Sequence, residues 1–127
     1  MDYLLDTHSF LWFINGDDAL SETARKSIED VTSTKFVSIA SFWEISIKLS
    51  LGKLILEMPF NELKEQVTKN GFDILPITFE HTSKVTALNF IHKDPFDRMI
   101  IAQAITEKLA IIGKDNNFHQ YNVKMIW

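Results

Sequence analysis

The stretch Met99-Ile100-Ile101-Ala102-Gln103-Ala104-Ile105-Thr106-Glu107-Lys108-Leu109-Ala110-Ile111-Ile112 decides the fold class. Met99 through Leu109 is apolar nearly all round, the pattern of a central, buried helix rather than a surface one. Leu109 to Ile112 is an unbroken apolar run, as expected of a parallel strand covered on both faces by helices. Working outward, Tyr3-Leu4-Leu5, Lys35 to Ile39, Ile74 to Thr78 and Val123 to Trp127 also read as strands, most of them too apolar to alternate. Helical patterns lie between them. Leu20, Ala24 and Ile28 recur at helical spacing behind a Ser21 cap, Phe60, Leu63 and Val67 follow the same logic, and Thr78 can cap a stretch with Val85 and Leu88 inward. This alternation predicts an α/β sandwich with a mainly parallel sheet, and such sheets place ligands at the carboxyl ends of their strands.

The chain of 127 residues, 46% hydrophobic and 24% charged, suits one globular domain over 1–127, without internal repeats or a low-complexity linker. With no cysteine it excludes a disulfide scaffold, thiolate metal sites and a cysteine nucleophile, in keeping with a cytoplasmic protein. The start lacks a basic residue before its apolar stretch, which Asp2 and Asp6 interrupt, so neither a signal peptide nor a membrane span is expected. A net charge of −4 argues against gripping nucleic acid by bulk positive potential. Carboxylates holding a divalent cation would reconcile an acidic chain with a phosphate substrate.

The acids are placed for that purpose. Asp6 directly follows the first strand, and Asp115 stands just past Leu109 to Ile112. Glu44 lies in the helical run after the second strand, while Asp94 and Asp97 open the buried helix. Like charges gathered on one rim raise one another's pKa unless a cation neutralises them, and hard oxygen ligands without thiolate point to Mg²⁺ or Mn²⁺. Each acid also has a structural reading. Asp6 can cap the helix containing Phe10, Leu11 and Ile14. Ser41-Phe42-Trp43-Glu44 matches a capping box and Glu44 can pair with Lys48, but a helix starting at Ser38 leaves Glu44 no capping job. Asp94 before Pro95 is an N-cap signature, Asp97 gains from the helix dipole, and Asp115 before Asn116-Asn117 suits a turn.

Taken together, Asp6-Thr7-His8 with Leu11-Trp12, Trp43-Glu44-Ile45 with Lys48 and Gly52-Lys53-Leu54, and His92-x-Asp94-Pro95-Phe96-Asp97-Arg98 with Ala102-Gln103-Ala104 resemble the PIN-domain family, specifically VapC-type toxins. The resemblance covers essentially the whole chain. It implies a three-layer α/β/α sandwich, a Mg²⁺- or Mn²⁺-dependent endoribonuclease, a small antitoxin in the active-site cleft and a homodimer. It also implies an acidic quartet of Asp6, Glu44, Asp97 and Asp115, with Asp94 in reserve one helical turn from Asp97. One departure is Gly113, where the family usually carries Thr or Ser two positions before the last acid.

In this reading Asp6 and Asp97 are direct metal ligands, Glu44 a ligand through water or the group orienting the nucleophile, and Asp115 outer or second-metal support. Thr7 is a candidate for bonding a metal water or phosphate. Lys48, Arg98 and Lys114 are candidates for steering RNA phosphates, with Arg98 the first choice. His8 and His92 lack the spacing of a dedicated metal site and are better placed as hydrogen-bonding groups around it. Trp12, Trp43 and Phe96 are candidates for stacking on bases, with core packing the default for aromatics inside such apolar runs. Phe10, Trp12 and Leu49-Ser50-Leu51 are candidates for an antitoxin surface, with core packing the default for each. A receiver-like phosphoacceptor and a PIN-like module without catalysis are the alternatives; no Gly-rich phosphate loop is present.

Overall fold

The computed structural model describes residues Met1–Trp127. Strands β1 (Tyr3–Leu5), β2 (Lys35–Ser38), β3 (Asp73–Leu75), β4 (Ala110–Ile112) and β5 (Met125–Ile126) form one sheet in the order β3-β2-β1-β4-β5, with every neighbouring pair parallel. The helices are α1 (Thr7–Asn15), α2 (Glu22–Glu29), α3 (Ile39–Ser50), α4 (Glu62–Lys69), α5 (Phe79–Ala87) and α6 (Pro95–Glu107), and a short 3₁₀ turn covers Asn116–Gln120. No helix is long and apolar enough to cross a membrane. The order excludes the receiver-like alternative, whose doubly wound sheet runs 2-1-3-4-5.

Side chains of a strand alternate between faces, so consecutive apolar residues serve two cores. Leu5, Val37 and Ile112 pack with Phe10, Ala24, Ile28, Phe42, Ile45, Leu63 and Val67, drawn from α1 to α4. Leu4 and Ile111 pack on the other side with Ile100, Ile101 and Ala104 of α6 and with Phe118 and Tyr121. Both faces of β1 and β4 are therefore covered, the burial that their unbroken apolar runs require, and the result is a three-layer α/β/α sandwich.

Several expected boundaries move for identifiable reasons. Ser38 rather than Ser41 caps α3, its side chain accepting from the Ala40 N–H at 3.0 Å, so Ile39 turns helical and Glu44 falls in the second turn. Pro76, which has no N–H to give a ladder, follows the end of β3 at Leu75. Leu109 lies outside β4: Lys108 takes a left-handed conformation (φ 57°) that ends α6, and the Leu109 N–H bonds back to the Ala104 carbonyl. Phe60 precedes α4 and is exposed, whereas Leu63 and Val67 are core. Val85 and Leu88 are only half-buried; the residue α5 buries fully is His81, which completes a capping box with Thr78 and stands 2.8 Å from Glu107.

The register sets up the site. Leu5 lies opposite both Val37 and Ile112, so β1 and β4 end flush, β2 runs one residue further, and Asp6, Ser38 and Gly113 stand side by side at the same edge. The Asp6 N–H bonds to the Ile112 carbonyl at 3.0 Å, tying the start of α1 to the end of β4. β2 and β3 lie on one side of β1 and β4 and β5 on the other, so the chain reverses its direction of winding at this edge. Open α/β sheets bind ligands at that switch point.

Candidate functional site

A cleft of about 520 Å³ opens at this carboxyl edge, lined by Asp6, Thr7, His8, Trp12, Glu44, Lys48, Asp94, Asp97, Lys114, Asp115 and Asn116. The four acids of the expected quartet and the reserve acid Asp94 thus share one cleft, although they come from stretches far apart in the chain.

Three of the five carboxylates cap an element. Asp6 caps α1, its Oδ1 accepting from the Ser9 N–H at 2.8 Å, while Oδ2 faces Gly113. Asp94 caps α6 through Oδ1, which accepts from the Phe96 and Asp97 N–H groups at 2.9 and 3.1 Å. Asp115 caps the 3₁₀ turn through the Asn117 N–H at 2.9 Å. Cap and cleft lining are therefore compatible in the same residue: the cap engages one carboxylate oxygen and leaves the other free of it. Glu44 is buried in the second turn of α3, with Oε1 2.8 Å from Thr7 Oγ1 and Oε2 2.6 Å from Lys48 Nζ. The Thr7 hydroxyl has one proton, so in donating to Glu44 it takes its 2.9 Å bond with Ser41 Oγ as acceptor.

The electrostatics mark a crowded acidic site. Burial pushes Asp6 above the ordinary aspartate range, against the pull of the Ser9 N–H and the charge of His8, and Asp115 raises it further. Asp97 is pushed up to about 7, chiefly by desolvation and then by Asp94, with Glu44 and Asp115 adding to the rise and His92 opposing it. The tightest group is His92, Asp97 and Asp115, whose potential ligand atoms lie within 4.8 Å of one another. Asp6 and Glu44 line the cleft around that group.

Several flanking residues depart from expectation. Arg98 does not face the cleft: it is 8% exposed, donates to the Asn89 and Val85 carbonyls at 3.1 and 3.2 Å, and lies over the Phe90 ring at 4.8 Å. Starting one residue after Asp97 on α6, its side chain turns back towards the loop before the helix, so it does not meet phosphate. Lys48 is tied to Glu44, and Lys114 sits over Trp12 and Trp127 at 5.2 and 5.8 Å from their centroids. None of the three aromatics is fully buried, although Trp12 packs against the core from its edge. Trp12 is half-buried on the cleft wall with His8 stacked on it at 5.5 Å, and Trp43 is 59% exposed, edge-on to a half-buried Phe96. Of the candidates for a partner surface, Phe10 is fully buried and Leu51 exposed.

A further residue that sequence reasoning met only as an irregularity is Gly113. A Cβ there would collide with the Asp6 carboxylate, so the missing side chain makes room for an acid of the cleft. Gly113→Ala is expected to cost about 1–3 kcal/mol through that overlap and to displace Asp6. A lowered melting temperature checks it.

The comparisons with known proteins agree with this architecture. A PIN domain family model matches residues 3–124. The chain belongs to the PIN domain family. The PIN domain fold also recurs in solved structures. The match to the VapBC2 structure from Rickettsia felis, bound to a promoter DNA fragment, has a TM-score of 0.74 at 17% identity, covering 98% of this chain and 97% of that one. VapBC-1 from nontypeable Haemophilus influenzae matches with a TM-score of 0.69 at 12% identity over 98% and 96% of the two chains. A toxin–antitoxin complex from Klebsiella pneumoniae matches with a TM-score of 0.63 at 18% identity over 94% and 92%. At these identities the likeness is one of fold. No curated protein matches this chain in sequence.

Proposed function

We propose that this PIN domain is a Mg²⁺- or Mn²⁺-dependent endoribonuclease, the toxin of a toxin–antitoxin pair. The observation that carries the reading is the convergence of Asp6, Glu44, Asp94, Asp97 and Asp115 on one cleft at the switch point of the sheet. The residues fit a hard divalent ion. The donors are carboxylate oxygens, and burial, with neighbouring acids adding to it, holds Asp6 and Asp97 above the ordinary aspartate range, a cost that a bound cation would offset. Asp6 and Asp97 would hold the ion, Asp115 would support it from the outer side or hold a second one, and Asp94 stands within reach on the same helix.

When bound, such an ion supplies charge at a phosphoryl oxygen and lowers the pKa of water near the scissile phosphodiester. The chain's own groups do the rest. Glu44, fixed by Thr7 and Lys48, orients water or accepts its proton for attack in line with the leaving oxygen. Thr7 acts through Glu44 rather than on phosphate, and Lys48 is occupied by its ion pair. Lys114, on the cleft wall, is the cation placed to meet the RNA backbone.

The partner reading draws on the toxin–antitoxin complexes whose fold this chain shares. A small antitoxin would enter the cleft and cover the acids, and two copies of the toxin would associate as a dimer. Incubating the purified protein with total RNA, with EDTA or with added Mg²⁺ or Mn²⁺, and mapping the cut ends tests the enzyme. Discrete ends that form only with the cation are expected. Intact RNA under every condition would overturn the nuclease reading and favour a PIN-like interaction module.

A further inference from the structure

We infer that His92 is a positioning residue of the acidic cleft, an Nε2–H donor that keeps Asp97 and Asp115 beside each other, and that Tyr121 and Arg98 hold the loop that carries it. The inference rests on the metal-site reading above and adds a role for residues that reading leaves unused.

Geometry alone would allow His92 to be a ligand, since its Nε2 lies 3.0 Å from Asp97 Oδ2 and 3.4 Å from Asp115 Oδ2. The tautomer decides otherwise. The Asp94 backbone N–H points at His92 Nδ1 from 3.2 Å. A backbone N–H can only donate, so Nδ1 carries the lone pair, and a neutral imidazole must then bear its proton on Nε2. A protonated Nε2 has no lone pair for a metal. A ring protonated at both nitrogens would set Nδ1–H against the Asp94 N–H, two donors facing each other. Nε2–H is left to donate to Asp115 Oδ2, with Asp97 Oδ2 close beside the same proton. It draws two mutually repelling carboxylates together and leaves their other oxygens for a cation.

The ring is held in place by residues outside the cleft. It packs 5.9 Å from the Phe118 ring, centroid to centroid. The Tyr121 hydroxyl accepts from the His92 and Ile91 N–H groups at 2.8 and 3.2 Å and donates to the Asn89 carbonyl at 2.9 Å. That uses its hydrogen-bonding capacity in full. Arg98 binds the same Asn89 carbonyl from α6, so the helix that presents Asp97 also anchors the loop that presents the donor. Partners of this kind orient ligands and strengthen metal binding, and removing them typically costs about 10–100-fold in affinity.

The test reads protons and metal binding separately from cleavage. In ¹⁵N-labelled protein without metal, the His92 ring is expected as the Nε2–H tautomer and should keep that proton at saturating Mg²⁺. Mn²⁺ affinity by electron paramagnetic resonance should fall about 10–100-fold in His92→Leu and stay within about threefold in His92→Gln, which retains an N–H donor of similar reach. Tyr121→Phe, which leaves the cleft's own side chains intact, should weaken Mn²⁺ by roughly tenfold. An Nδ1–H tautomer, or loss of the Nε2 proton on adding Mg²⁺, would overturn the inference by making His92 a ligand. Unchanged Mn²⁺ affinity in a folded His92→Leu protein, or in Tyr121→Phe, would also overturn it while leaving the metal site standing. A wild-type protein that binds no Mn²⁺ would overturn the metal-site reading and this inference with it. Should His92→Leu not fold, a folded His92→Gln protein that binds Mn²⁺ poorly would overturn the donor role in its place.

Discussion

An Asp6→Asn protein is expected to lose metal-dependent RNA cleavage by roughly 10³-fold or more, because a ligand charge supports several kcal/mol of transition-state stabilisation at about 1.4 kcal/mol per tenfold in rate. The fold should survive the change. Asp6 has two jobs, capping α1 through Oδ1 and presenting its charge to the cleft. Asn caps a helix about as well as Asp, so the substitution keeps the first job and removes the second. Burial already opposes the charge of Asp6, and a neutral amide at that position relieves the opposition. Circular dichroism and thermal melting without metal should therefore match or exceed the wild type, while cleavage of total RNA in Mg²⁺ disappears. Asp6→Ala loses the cap as well and should melt lower, by about 1 kcal/mol. Full activity in Asp6→Asn would remove Asp6 from the metal site.

Asp97→Asn should show the opposite signs of function and stability most clearly. Asp97 is raised from 3.8 to about 7, chiefly by desolvation and by Asp94. A carboxyl whose folded pKa lies above its unfolded one binds its proton more tightly when folded. The metal-free protein therefore loses stability as the pH rises from about 4 to about 7, and the loss is complete above that window. Below pH 4 both states are protonated and Asp97 contributes nothing. With the side chain 24% exposed, solvent screening reduces the effect, and roughly 2 kcal/mol at pH 8 is a reasonable magnitude. The variant should accordingly melt about 5–10 °C above the metal-free wild type at pH 8, with the gap closing towards pH 4. Mn²⁺ at a hundred times its dissociation constant should stabilise the wild type by about 2.7 kcal/mol and leave the variant unmoved. A wild type whose melting temperature does not fall between pH 4 and pH 7, relative to Asp97→Asn, would show that the cleft does not strain this carboxylate.

Much of the architecture was legible from local pattern. Unbroken apolar runs such as Leu109 to Ile112 need cover on both faces, and that requirement alone leads to parallel strands between helices. Boundaries were less legible where a competing local bond prevailed. Ser38 and Ser41 are equally good caps as letters, and only the end of β2 against β1 decides that the helix starts at the first. Arg98 shows the same limit in the site. Its place in Asp94-Pro95-Phe96-Asp97-Arg98 puts a cation near the acids, but spacing does not reveal that the carbonyls of Val85 and Asn89 and the Phe90 ring will claim it. Tyr121 gave no local signal at all, since its partners lie some thirty positions away and meet it only when α6 packs on the sheet.

The primary structure by itself determined which residues carry charge, which runs must be buried and hence that the acids after β1 and β4 leave one edge of a parallel sheet. What only the folded chain decided is how those acids share that edge: Gly113 yielding space to Asp6, Thr7 and Lys48 fixing Glu44, and His92 standing between Asp97 and Asp115. The reason is one of range. Periodicity and capping depend on neighbours within a turn or two of the same element. Hydrogen bonds and repulsions among side chains from different elements depend on the register and packing that bring those elements within a few ångströms of each other.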